Sequence, residues 1–120
     1  MVKLVFCCRR RPELSSEEFR RTWLERHGSL VRSLRTALPM MRRYVQSHTL
    51  EGPANEAIRA SRGSREPYDG ITEVWFDSLE AMAGSSEATL AAGKRLLEDE
   101  RTFIDLANSS VFLTEEHEIF

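Results

Sequence analysis

A chain of 120 residues, 41% hydrophobic and 30% charged, has room for one core, and no apolar run in it approaches the roughly 20 residues a membrane-spanning helix needs. The net charge of -2 hides an asymmetry: residues 1–50 hold eleven Lys/Arg against four Asp/Glu, and residues 51–120 hold six against fifteen. The arginines alternate with acids at helical spacing and lack interleaved aromatics, which argues against a nucleic-acid surface and for basic and acidic elements packed beside each other, within a subunit or across a dimer.

The short apolar start, residues 1–6, leads into arginines and lacks the length of a signal h-region, so a cytoplasmic protein is expected. Residues 2–8 read as a strand with both faces at least partly buried. Cys7 and Cys8 are sequence neighbours. They cannot staple distant segments, and no second Cys/His pair completes a zinc site, so they are expected as buried strand thiols with no metal. Arg9, Arg10, Arg11 and Pro12 end the strand.

A helix then opens with Ser15 as N-cap, Glu18 as its capping-box partner, and Leu14 placed to pack on Phe19. Phe19, Trp23, His27, Leu30, Val31, Leu34 and Leu38 follow, covering an arc of roughly 120° at about 100° per residue. His27 falls near the middle of that apolar stripe. Gly28 follows directly, at a helix-interior cost of about 1 kcal/mol relative to Ala, which suggests close approach of another group beside the imidazole.

Pro39 stops the helix, and residues 40–50 read as a second strand on which Tyr44, Gln46 and His48 share a face. Residues 51–69 read as a long loop with at most a helical turn around 55–60, of the kind that serves as a lid or linker. Residues 70–77 form a third strand, with Glu73 and Trp75 on one side and Val74 and Phe76 on the other. Asp77 and Glu80 suggest a capping box for a short helix that Gly84 interrupts. Helical pattern resumes over 86–106, and 110–120 reads as the last strand.

The order β-α-β-β-α-β, with right-handed crossovers, predicts a single α+β domain of ferredoxin-like arrangement over residues 1–120, with an antiparallel sheet and both main helices on one face. The other sheet face is then bare although its strands carry apolar residues. A second copy is the economical cover, so a homodimer with sheets packed face to face is expected.

Several pieces in order resemble the EthD family of dimeric α/β-barrel proteins: Lys3-Leu4-Val5; Leu14-Ser15 with Phe19 and Trp23-x-x-x-His27-Gly28; Arg43-Tyr44-Val45-Gln46-x-His48; Tyr68-Asp69-Gly70-Ile71 into Glu73-x-Trp75-Phe76-Asp77; and Asp99-x-x-x-Phe103-Ile104-Asp105 with Thr114-Glu115-Glu116. The resemblance implies a ligand cavity between helices and sheet in which a first-helix histidine meets one from the second strand. His27 and His48 match that pair by position. With Tyr44 they are the candidate catalytic residues, since imidazole titrates nearest neutrality.

Arg43 or Tyr44 would stabilise a developing enolate, although strand alternation turns Arg43 away from Tyr44. Asp69 and Glu73 are candidate orienting carboxylates, and Trp23 and Trp75 serve either as core or as ligand-stacking rings. The family covers many chemistries, so function is an expectation of reaction class: a cofactor-free enzyme moving protons on a small cyclic or aromatic carbonyl compound, by isomerisation, cyclisation, dehydration or decarboxylation. The alternatives are a monooxygenase or haem-handling protein, with His27 or His48 on iron, and a non-catalytic binding or accessory module. The partners expected are a second copy and a small organic substrate, without nucleic acid or membrane.

Overall fold

The computed structural model describes residues 1–84 and 86–120. Strand β1, Val2–Cys8, leads into a composite helix: α1, Ser16–Arg21, a π-helical turn, Thr22–His27, and α2, Gly28–Ser33. Strand β2, Arg43–His48, is followed by helix α3, Pro53–Arg62, strand β3, Gly70–Phe76, the short α4, Leu79–Met82, helix α5, Glu87–Glu100, and strand β4, Ser110–Glu115. The strands lie in the order β2-β3-β1-β4 with every neighbouring pair antiparallel. This is the ferredoxin-like α+β arrangement. Among the described residues, no helix is long and apolar enough to cross a membrane.

Ser15 caps α1 as its sequence predicts: its side chain accepts from the Glu18 N–H, and the Glu18 carboxylate accepts from the Ser15 N–H. Phe19 and Trp23 are fully buried, and Leu14 packs against their cluster. At the π-helical turn the Gly28 N–H reaches the Trp23 carbonyl five residues back. The expected close approach at Gly28 is absent, since a Cβ there would meet only the Trp23 carbonyl oxygen at 3.6 Å and Gln46 Nε2 at 3.7 Å, ordinary contacts.

Strand register explains the floor on which these helices rest. Side chains alternate between faces, so cross-strand partners form rows on one side. Two rows face the helices: Tyr44, Val74, Leu4 and Leu113, and Gln46, Thr72, Phe6 and Val111. A third row, His48, Gly70 and Cys8, has a gap at the glycine, and Trp23 fills it. Two clusters stand out among the buried residues. Cys8, Phe19, Trp23, Phe103 and Ile104 make one, and Leu38, Ala92 and Leu96 make the other.

Three local expectations are corrected. The segment 51–69 contains the ten-residue helix α3, with Pro53 in its first turn and Gly63 in the left-handed conformation (φ 60°) beyond its end. It has no buried residue, and its apolar side is narrow, Ala54 and Ala57 beside Ile58. The cap of α4 is Ser78, whose hydroxyl accepts from the Ala81 N–H, while Asp77 is engaged by Arg42. Helix α5 ends at Glu100; Ile104 then bridges to Arg10, and a 3-10 turn covers Leu106–Asn108.

Gly70 is where a side chain cannot be accommodated. A Cβ there would lie 2.3 Å from Trp23 Cζ3 and 2.7 Å from the Ser47 carbonyl oxygen. Because a fully buried indole and a strand backbone have nowhere to retreat, Gly70→Ala is expected to destabilise by about 1–3 kcal/mol. Urea unfolding checks this, with a lowered midpoint at unchanged slope as the expected result and an unchanged midpoint as the contrary one.

Candidate functional site

Between the two core clusters the interior is hollow. A cavity of about 380 Å³ is bounded by the sheet residues Leu4, Phe6, Tyr44, Thr72, Val74 and Phe76, and on the helix side by Trp23, His27, Leu96, Leu97 and Glu100. Its walls are chiefly apolar, and its polar groups are the His27 imidazole, the Glu100 carboxyl and the Tyr44, Thr72 and Ser109 hydroxyls. Leu97 and Val111, 39% and 58% exposed, mark its rim between α5 and the β4 edge.

His27 is 2% exposed. Its Nδ1 lies 2.8 Å from Asp99 Oδ2, and the other Asp99 oxygen sits 3.1 Å from Arg26 Nε. A carboxylate engaged by a guanidinium can only accept, so His27 Nδ1–H is the donor and the lone pair of neutral His27 is on Nε2. That nitrogen lies 3.9 Å from Glu100 Oε2. Burial holds the imidazole below its usual titration range, opposed by the hydrogen bond and charge of Asp99 and assisted by the Arg26 charge. Burial, with the nearby Asp99 charge, lifts the Glu100 carboxyl from 4.5 to about 7. The Tyr44 phenol is raised by burial and stays a neutral donor near neutral pH.

His48 does not join His27 in this cavity. Its ring stacks on Trp23 with centroids 4.4 Å apart and an interplanar angle of 14°. Gln46 donates from Nε2 to the Trp23 carbonyl at 2.8 Å, which leaves its Oε1 to accept from His48 Nε2 at 2.8 Å. The imidazole that strand parity places on the helix-facing side is therefore occupied in seating the indole. Burial and the Arg20 charge lower its titration range.

Of the other candidates, Trp23 borders the cavity. Arg43, Glu73 and Trp75 lie on the opposite sheet face, as alternation requires. There the Arg43 guanidinium sits 4.7 Å from the Trp75 ring centroid, Lys3 pairs with Glu73 at 2.8 Å, and Trp75 Nε1 donates to Glu116 at 2.7 Å. Asp69 joins strand ends: it accepts from the Arg10 N–H at 2.8 Å, and its own N–H donates to the Cys8 carbonyl. A wider groove of about 880 Å³ lies on that side, beside α3. Of its arginines, Arg20 pairs with Glu51, Arg10 with Asp69, and Arg9 lies over Tyr68, whereas the apolar cavity brings together an imidazole and a carboxyl whose titration ranges burial shifts, which makes the cavity the better candidate.

Asp99 and Glu100 were not among the site candidates read from the sequence. Glu100 does carry a signal there, since Ala92, Leu96 and Glu100 follow one helical stripe and place a carboxyl on the buried face just as His27 places an imidazole. Among the described residues, no three His, Cys, Asp or Glu side chains are grouped as a metal ion requires.

Residues 11–107 match the EthD domain. The chain belongs to the EthD family. Its fold is that of an EthD family protein from Bacillus halodurans, at 20% identity, with 98% of this chain and 99% of that one covered and a TM-score of 0.62. Two further structures resemble this EthD family member. One is a dimeric protein of unknown function and ferredoxin-like fold from Bacteroides fragilis, at 14% identity, 96% and 95% coverage and TM-score 0.60. The other is a dimeric ferredoxin-like protein of unknown function from Thermobifida fusca, at 13% identity, 96% and 90% coverage and TM-score 0.61. No curated protein matches the sequence.

The buried carboxyl has a stability signature. The folded protein holds the Glu100 proton up to about pH 7, whereas the unfolded chain releases it near 4.5, so this group's contribution falls as pH rises between those values. His27, shifted down, acts with the opposite sign, adding stability as pH rises toward 6.5. Glu100→Gln removes the first effect. Relative to wild type, its stability is expected to rise by on the order of 1–3 kcal/mol between pH 5 and pH 8. Denaturant unfolding across that range checks this, and parallel pH profiles for the two proteins would contradict it.

Proposed function

We propose that this EthD family member is a proton-transfer enzyme acting on a small cyclic or aromatic carbonyl compound, without a cofactor. The observation that carries the reading is the pairing in one apolar cavity of a histidine base held by a carboxylate with a carboxyl group titrating near neutrality. His27 Nε2 removes a proton from the carbon beside the carbonyl. The C–H electron pair becomes the enolate double bond, and negative charge passes to the carbonyl oxygen. A hydroxyl of Tyr44 or Thr72 donates to that oxygen, and Asp99 stabilises the imidazolium through Nδ1–H. Where a carbon–carbon double bond is conjugated with the enolate, the electrons shift and the proton returns at its far carbon, either from the His27 imidazolium or from protonated Glu100 with the His27 proton then passing to Glu100, which completes an isomerisation.

The same reading assigns the acid and the base their pH limits. His27 acts as base above its lowered titration range, and Glu100 acts as acid below about 7. Hydrogen–deuterium exchange at the activated methylene of β-tetralone, followed by NMR, is expected to be accelerated most between those limits. His27→Asn should reduce the acceleration by roughly 10²-fold or more, and Glu100→Gln should remove the alkaline limb. Equal exchange by wild type and His27→Asn would defeat the proposal.

The working unit in this proposal is a homodimer joined through the sheet face away from the helices. Support comes from Ile71 and Phe112, 37% and 49% exposed on that face beside the half-buried Val5 and Val45, and from the two dimeric structures of similar fold. Sedimentation equilibrium is expected to give twice the 13.8 kDa chain mass for wild type and one chain mass for Phe112→Glu. A monomeric wild type would remove this part of the proposal.

A further inference from the structure

A second, smaller pocket of about 340 Å³ adjoins the cavity along the open edge of the sheet, where β2 is the outermost strand. Met41 and Tyr44 line both spaces, so these two side chains form the partition between them. The character of the second space differs from the first. Arg32, Arg35, Arg42 and Arg43 border it and no Asp or Glu does.

The arginines of the chain differ in how they are held. Arg10, Arg11, Arg20 and Arg26 each face a carboxylate, on Asp69, Glu13, Glu51 and Asp99 respectively. At the small pocket, Arg42 is held by Asp77 through two hydrogen bonds of 3.0 and 2.8 Å, and Arg43 lies over Trp75. Arg32 and Arg35 have no carboxylate partner among the described residues. They sit three positions apart on the helical side of the pocket, close enough in sequence to share a face. Two unmatched guanidinium groups beside a pocket, one partition away from a buried acid–base pair, constitute a site for an anionic group.

We propose that this pocket binds an acidic substituent, carboxylate or phosphate, of the substrate whose carbonyl-bearing part occupies the cavity at His27 and Glu100. The inference rests on the reading of that cavity given above and narrows its substrate class to amphipathic acids: an apolar ring or chain carrying the reacting carbonyl, with an oxyanion at one end. Met41 and Tyr44 stand where the two parts join. Tyr44 is thereby placed to sense both the anchored end and the reacting carbonyl.

Three probes with the same acetyl-bearing ring separate the possibilities: acetophenone, para-acetylbenzoate and para-acetylphenyl phosphate. Each is titrated by NMR into wild type and into the Arg32→Gln/Arg35→Gln variant, following the His27 imidazole and the Arg side-chain signals. The substituted residues are exposed, and circular dichroism verifies that the variant folds. At least one anionic probe is expected to bind wild type about tenfold or more tightly than acetophenone, with the carboxylate and phosphate arms showing which oxyanion is preferred. The variant is expected to lose that preference while keeping its affinity for acetophenone. Equal affinity for all three probes with His27 still perturbed would overturn the anion site and leave the cavity reading intact. A preference that survives in the variant would likewise overturn the site. Failure of every probe to perturb His27 would overturn both.

Discussion

The fold is organised around one close contact, the indole of Trp23 lying on bare backbone at Gly70. From that seat the ring meets Phe19 at 5.4 Å and His48 at 4.4 Å, and the Trp23 carbonyl receives both Gln46 and the first amide of α2. One residue therefore joins the composite helix to two strands, through apolar contact and hydrogen bonding together. The aromatic cluster continues through Phe19 to Phe103 at 5.7 Å and from Phe103 to His27 at 5.2 Å, so the position of the imidazole depends on the packing of the indole. Large side chains seated on small ones give the core its close packing here.

The same packing explains why the interior is divided. Trp23, Phe19 and Phe103 fill one side, and Ala92, Leu96 and Leu38 close the other. The space between them is bordered by an imidazole and a carboxyl that burial pushes toward their neutral forms, the His downward and the Glu upward. Together the two effects invert the ordinary order, with the carboxyl at about 7 lying above the imidazole, which is lowered from 6.5. Arg26, outside the cavity, engages the far oxygen of Asp99 and so fixes which imidazole nitrogen faces the hollow.

Most of the architecture is legible in the chain because its local signals agree with one another. The Ser15/Glu18 box, the alternation of Val74 and Phe76 against Glu73 and Trp75, and the glycine that opens β3 each have one local interpretation, and the family resemblance follows the same order. Helix α3 was hard to read because its apolar side is made of small residues, Ala54 and Ala57 beside Ile58, between Gly- and Pro-rich ends, and none of them is buried. His27 was conspicuous on its stripe, and Tyr44 followed from strand parity. Parity also put His48 on the correct side of the sheet, but not its pairing with Trp23, which depends on where a side chain 25 residues away finds room. Glu100 was visible only as one more acid in a charged helix, although its register with Ala92 and Leu96 assigns it to the interior. A hollow is the hardest feature to read, because it belongs to the spacing between two clusters and to no residue in particular.

The π-helical turn at Thr22–His27 sets the phase of everything after it. In a regular α-helix each residue turns the chain by about 100°, so deleting one residue from this wide turn would rotate α2 by about that angle against the half that carries Phe19 and Trp23. The face bearing Arg32 and Arg35 would swing away from the β2 edge while the aromatic anchors stayed in place. The extra residue thus acts as a rotational offset, fitting two faces of one helix to two different surfaces. A single-residue deletion within the turn and a substitution at the same position should consequently differ in kind: the substitution changes one side chain, whereas the deletion re-aims half a helix.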